Sequence, residues 1–387
     1  MTDTESRKVM IIAGEASGDL HGARLVTAMK AKRAGLSFCG MGGKELESVG
    51  VKLLFDAKRI AVVGIAEVLS HLSDIFLARK TLRTSMKEDR PDLLILIDFP
   101  DFNFMLAKHA KKLGIPIYYY ISPQVWAWRS GRVKTMKKLV DQIGVILPFE
   151  EQFFRKSGVV ASYVGHPLLD SVRSEGDRET FCKNNGIDKD SLLVGLMPGS
   201  RRKEIASLLP VLLQTARILQ QQSDKNMVFL LPVASTISVE EVRENGLDEY
   251  GQGLNVCLIT ENRYDMMAAC DAALVVSGTV TLELALLDTP LVVFYKVSPA
   301  TYRIGKMLVN KDLKYFSLVN LIADDNIVPE LVQDEVTADR MAEELFQILF
   351  DTGRRAKMEA GLSLVRSRMG KAGASEKSAE LALSLLT

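Results

Sequence analysis

The stretch Pro91-Asp-Leu-Leu-Ile-Leu-Ile-Asp-Phe-Pro-Asp-Phe-Asn103 decides the fold. Leu93–Ile97 is a continuous apolar run, punctuated by Pro91 and ended at once by Asp98. Behind it, Phe102, Leu106 and Ala110 recur at helical spacing. A strand apolar on both faces and followed directly by a helix is one unit of a parallel sheet covered by helices. Working outward, the same unit recurs. Val9–Ala13 runs into Gly14-Glu-Ala-Ser-Gly-Asp19, with Leu25, Ala28 and Met29 behind it, and Ile117–Ile121 and Gly144–Leu147 are further strands. Between about Asp170 and Asp190 the chain turns polar and charged, as a domain connection does. The alternation then restarts at Leu192–Met197, Met227–Leu231, Val256–Ile259, Ala273–Val276 and Leu291–Phe294. The reading is α/β, in two halves of similar size, with helices from Thr337 onward that pack back on the first half.

The bulk numbers exclude whole classes. Lys and Arg total 49 against 48 Asp and Glu over 387 residues, a net charge of +1, which lacks the basic excess of a nucleic-acid binder. Cys39, Cys182, Cys257 and Cys270 lie far apart with no metal-ligand spacing, so they read as small apolar residues in a reducing, cytoplasmic compartment. No apolar run reaches the length of a membrane span, and the polar start is unlike a signal peptide. There is no HExxH, no GxSxG and no P-loop, and histidines stand only at 21, 71, 109 and 166. Asp188-Lys-Asp190 matches a metal-binding DxD by letters but lies in the polar connection. No metal and no cofactor are required.

In open α/β sheets ligands bind at the carboxyl ends of the strands, so the polar residues there are the site candidates. Gly199, Ser200 and Arg201 follow a strand and open a helix, whose free N–H groups suit a phosphate. An ordinary strand–turn–helix connection with solvated basic residues accounts for that string equally well. Ser277, Gly278 and Thr279 repeat the arrangement. Glu283 follows one turn on, where a carboxylate can accept two ribose hydroxyls or simply be a buried, satisfied glutamate. Two such turns in one half favour a nucleotide. Asp98, at the end of the most apolar strand, is placed as a desolvated general base, whereas Asp101 reads as a helix cap. Glu15 points into the same crevice. Trp126 and Trp128, the only tryptophans, stand beside Arg129 and Arg132 and look like a wall of a ligand site.

Taken together, AGEASGD (13–19), GMGG (40–43), VGIAEVL (63–69), IDFPDFN (97–103), SPQVWAWRSGR (122–132), LPFE (147–150), VGHPLLD (164–170), MPGSR (197–201), SGTVTLE (277–283) and LVNLIA (318–323) resemble the lipid-A-disaccharide synthase family. The strings run in order over most of the chain. The resemblance implies a GT-B fold, two Rossmann-like domains facing across a cleft with the C-terminal helix returning to the first. The implied domains are an acceptor- and membrane-facing one over 1–180 plus about 350–387, and a UDP-sugar domain over 181–349. It implies an inverting hexosyltransferase of lipid A (lipopolysaccharide) biosynthesis. UDP-2,3-diacylglucosamine and 2,3-diacylglucosamine 1-phosphate give the β-1,6 disaccharide 1-phosphate and UDP. The site residues follow: Asp98 as base with Glu15 second, Gly199–Arg201 on the diphosphate in place of a metal, Glu283 on the ribose, and Asn320 beside the nucleotide. A homodimer, peripheral on the inner face of the inner membrane, is implied as well.

Acyl substrates need an apolar landing place. Ile65, Val68, Leu69, Leu72, Ile75 and Phe76 recur at helical spacing, with Arg79, Lys80, Arg83 and Lys87 behind them. On periodicity alone this is a core-facing helix. The lipid substrates turn the reading toward a membrane or acyl-chain face. Two rivals stand against the transferase: another UDP-sugar enzyme of the same fold, such as a UDP-N-acetylglucosamine 2-epimerase, and a non-catalytic nucleotide-sugar sensor that would not depend on Asp98.

Overall fold

A computed structural model describes residues 6–60, 72–234, 236–310 and 313–386. The chain divides into two compact units, Met1–Asp170 with Leu308–Asn310 and Lys371–Thr387, and Ser171–Met307 with Lys311–Gly370. The first crossing falls ten residues before the expected 180. Of the C-terminal helices expected to pack back on the first half, from Thr337 onward and in the domain bounds from about 350, Ala338–Phe350 and Thr352–Met369 stay with the second unit and only the segment from Lys371 returns.

The first unit holds β1 (Arg7–Ala13), β2 (Leu36–Gly42), β3 (Lys52–Asp56), β4 (Leu93–Ile97), β5 (Ile117–Tyr120), β6 (Gln142–Val145) and β7 (Ala161–Tyr163). They form one sheet in the order β3-β2-β1-β4-β5-β6-β7, and every pairing is parallel. β4 is buried throughout because its side chains alternate between two helix layers. Leu94 and Leu96 pack with Met10, Ile12, Leu106 and Ala110, while Leu93, Ile95 and Ile97 pack with Leu25, Met29, Ala379 and Ala382. The last two belong to helix Ala374–Ser384, which seals that face. Tyr118, buried in β5, joins its hydroxyl to Ser378 Oγ at 2.7 Å.

The second unit holds β8 (Leu192–Met197), β9 (Met227–Pro232), β10 (Val256–Ile259), β11 (Ala272–Val276), β12 (Leu291–Tyr295) and β13 (Glu330–Val332), in the order β10-β9-β8-β11-β12-β13, again parallel. In each unit the strand order reverses beside the first strand, between β1 and β4 and between β8 and β11. At such a reversal the flanking loops diverge and leave a crevice at the carboxyl edge. Glu15 and Asp98 follow β1 and β4, and Gly199–Arg201 and Ser277–Thr279 follow β8 and β11. Both sets of candidates therefore sit where the topology opens the sheet.

Candidate active site

Asp98 ends β4 in an unusual backbone. Its φ is +41° and that of Phe99 is +45°, left-handed values that side-chain-bearing residues rarely adopt. Such a turn persists only where its surroundings fix it. Here the Asp98 carbonyl accepts from Tyr119 Oη at 2.5 Å and Asn103 Nδ2 at 2.6 Å, and the same amide reaches the Ile97 carbonyl at 3.2 Å. Both donors are fully buried. Gly14 completes the arrangement, because the Phe99 ring lies where a Cβ on residue 14 would come within 2.4 Å. The AGEASGD and IDFPDFN strings thus lock together physically, glycine against ring. Gly14→Ala is expected to push Phe99 off and disorder the Asp98 turn, read as loss of activity with a lowered Tm.

The carboxyl of Asp98 is pushed up to about 6, first by burial and second by the negative charge of Glu15, against the Phe99 N–H that opposes it. Glu15 is exposed, begins helix Ala16–Lys32 and makes no capping bond with its side chain. Two carboxylates in one crevice, one of them partly desolvated, make a proton acceptor poised near neutrality. The described histidines do not compete for that role. Burial lowers His21 to about 4 and His166 to about 3, which makes them weak proton acceptors, and it depresses His109 too. Asp19, the last residue of the first string, is structural. Its carboxylate accepts from the N–H groups of Gly43, Glu45 and Leu46 and so fixes the GMGG turn.

Two expectations for the loops nearby are corrected. Asp101 does not cap helix Pro100–Lys112; it is exposed in the first turn and pairs with Arg132 and, at 3.8 Å, with Arg129. Trp126 is not a wall of the site but core, 6% exposed, with Phe149 edge-on at 4.9 Å and its Nε1 donating to Glu150 at 2.9 Å. Trp128 is the open one, 50% exposed, with the Arg129 guanidinium 5.7 Å from its ring. Glu150, the last residue of LPFE, is the anchor of this loop. It accepts from the N–H groups of Ile146 and Leu147 and from Trp126, and burial pushes it up to about 7. Because its folded value lies above the ordinary carboxylate value, the native state holds the extra proton between the two. Stability therefore falls as pH rises through that window. In a Trp128→Phe background, Trp126 fluorescence is expected to titrate with a midpoint near 7 and to lose that transition in Glu150→Gln.

In the second unit a cavity of about 590 Å³ collects Gly199, Ser200, Arg201, Ser277, Gly278, Thr279 and Glu283 from the ends of β8 and β11. Gly199 has φ +111°, open only to a residue without a side chain at low cost. Glu283 is 6% exposed, with its Oε1 3.0 Å from Arg263 Nη2. Burial raises its carboxyl, and Arg263 and Tyr264 oppose the rise. Arg263 and Asn262 line the cavity too, and no pattern in the sequence marked them. Asn320 is corrected. It is fully buried, and its amide is used up on the Val328 carbonyl, Glu330, Asn326 and the N–H groups of Ile327 and Val328. It shapes the turn before β13 and does not line the cavity. Among the described residues no three His, Cys, Asp or Glu are grouped to hold a metal ion.

The fold is that of the GT-B glycosyltransferases. MurG of Acinetobacter baumannii superposes with a TM-score of 0.60 at 14% identity, covering 98% of this chain and 99% of its own. A UDP-GlcNAc 2-epimerase of Neisseria meningitidis superposes equally, at 0.60 and 12% identity over 97% of this chain and 98% of its own, so the fold alone does not choose a reaction. The sequence does. Residues 9–384 match the model of the lipid-A-disaccharide synthetase family. The lipid-A-disaccharide synthases of Geobacter sulfurreducens and Syntrophus aciditrophicus are 46% and 48% identical, the first over 100% of this chain and 99% of its own, the second over 98% of each. The chain belongs to the lipid-A-disaccharide synthetase family and is a glycosyltransferase, not an epimerase.

Proposed function

We propose that the chain moves diacylglucosamine from UDP-2,3-diacylglucosamine to the 6-hydroxyl of 2,3-diacylglucosamine 1-phosphate, with Asp98 as the base. An inverting displacement needs a proton acceptor on the attacking hydroxyl and charge stabilisation on the leaving diphosphate. The observation that carries the reading is the Asp98 carboxyl at about 6, ionised at neutral pH yet still basic enough to take a proton as the hydroxyl attacks. Glu15 raises that basicity by repulsion and is the tuning charge. Arg201 and the N–H groups at 200–201 take the diphosphate, and Glu283 takes the ribose. The test is UDP release from the donor with and without acceptor. Acceptor-dependent release with a β-linked product by NMR supports the reading, and release that ignores the acceptor overturns it.

The lipid substrates place the chain at a membrane surface, proposed as the inner face of the inner membrane. Ile65, Val68 and Leu69 lie outside the described residues. Helix Leu72–Glu88 turns Ala78, Leu82 and Met86 into the core and packs Ile75 partly against it, while Leu72 is 40% and Phe76 59% exposed. Phe76, Arg79, Lys80, Arg83 and Lys87 line one shallow groove, with no acidic residue among the described residues that line it. Apolar groups beside cations suit an anionic bilayer. Phe76→Asp is expected to reduce flotation with anionic vesicles severalfold while leaving UDP binding intact. No described helix is long and apolar enough to cross a membrane. The homodimer is proposed on the family resemblance, and sedimentation equilibrium tests it.

A further inference from the structure

The carboxylate of Glu204 stands on the donors that a diphosphate needs. Its Oε2 accepts from Ser200 N–H at 3.2 Å and Arg201 N–H at 3.3 Å, and its Oε1 lies 3.2 Å from Arg201 Nη1. It also covers Gly199, where an added Cβ would come within 2.3 Å of Oε2. These groups begin helix Arg202–Gln221, whose exposed N–H dipoles attract any anion at that end. Glu204 itself lines the cavity that holds Ser277 and Glu283, so its charge faces the ligand volume rather than bulk solvent alone. One set of donors cannot serve two anions at full strength.

We propose that Glu204 is a resident competitor for the nucleotide's diphosphate, and that it sets UDP affinity and product release. On binding, the diphosphate takes the Ser200 and Arg201 donors and Glu204 swings out. On release, Glu204 returns and recaps the helix, so those donors are never left bare as UDP departs. A glutamate at this helix position also has a plain structural use as a reciprocal cap. The two roles differ in sign: a structural cap supports the pocket and helps binding, whereas a competitor opposes it.

The inference rests on the assignment of this cavity to UDP, and the experiment separates the two. Calorimetric titration of the full chain with UDP and with uridine is made for wild type, Glu204→Gln and Glu204→Ala. Glutamine keeps the cap through its amide oxygen but removes the charge. Glu204→Gln is expected to bind UDP roughly 5- to 20-fold more tightly, the effect of removing one like charge beside the diphosphate. Uridine, which has no diphosphate, is expected to bind all three alike. Glu204→Ala moves UDP in the same direction with a lower Tm from the lost cap. UDP affinity unchanged or weakened in Glu204→Gln, or UDP and uridine shifting together, overturns the competitor role. Wild type that fails to bind UDP removes the pocket assignment, and this inference falls with it.

Discussion

Asp98→Asn is expected to lower the rate of disaccharide formation by roughly 10²- to 10⁴-fold, the usual worth of a positioned general base, while the Kd for UDP stays unchanged. The substitution is nearly isosteric, and asparagine tolerates a left-handed backbone as readily as aspartate, so the turn at φ +41° survives. Stability supports the same variant. Asp98 has a folded value of about 6, raised by burial and by Glu15, so the native state binds more protons than the unfolded chain between the ordinary aspartate value and 6. Ionising it above that window costs the native state stability. Asparagine removes that cost, so Asp98→Asn is expected to be no less stable than wild type at pH 8, and lost activity cannot be lost folding. In wild type, kcat/KM is expected to fall tenfold per pH unit below about 6 if Asp98 is the base, because it is then protonated. Glu15→Gln removes the second cause of the raised value and is expected to move that acid limb to lower pH with activity retained. An acid limb that stays at 6 in Asp98→Asn would assign the base to another group. A limb that vanishes in Glu15→Gln together with activity would make Glu15 the base.

What made Asp98 legible is its position after a strand that is apolar on both faces, because such a strand ends in a crevice and not on an open edge. The same logic placed Ser200, Gly278 and Glu283, and the structure gathers them in one cavity. Strands with unbroken apolar runs were read to within about two residues, and Leu93–Ile97, Leu192–Met197 and Val256–Ile259 end where expected. The missed strands share a physical reason. Lys52–Asp56, Ala161–Tyr163 and Glu330–Val332 are short strands at the sheet edges with at most one buried residue each, and Leu36–Gly42 is interrupted by serine and two glycines. Asn103 and Tyr119, which hold the Asp98 carbonyl, carry no local signal, because their role exists only once β4, β5 and the following helix are packed. Asn320 shows the converse. It stands in a family string, yet its whole amide is spent on its own turn, so a shared motif marked structure and not the ligand. Trp126 errs for a similar reason, since an aromatic beside arginines in sequence turns inward when a buried Glu150 is there to accept its N–H.

Glu283→Ala is expected to raise the Kd for UDP by roughly 100-fold or more. The carboxylate is nearly buried, so each ribose hydroxyl it accepts makes a hydrogen bond to a charged group in a partly desolvated place, worth about 1.5–3 kcal/mol net. Two opposing effects must be weighed. Removing Glu283 frees Arg263, which sits 3.0 Å away and would gain attraction for the diphosphate. That side chain is 58% exposed, so water screens most of the gain and the lost ribose bonds dominate. The same exposure lets Arg263 rehydrate, so the fold is expected to tolerate the change. The decisive comparison uses UDP and its 2′,3′-dideoxy analogue on both proteins. Wild type is expected to prefer UDP by the full factor, and Glu283→Ala to bind the two alike, since a double-mutant cycle isolates the carboxylate–hydroxyl term. If the variant still discriminates, the ribose is held elsewhere. If UDP binds it as tightly as wild type, the carboxylate serves Arg263 alone, and the pair is a structural strut of the pocket wall.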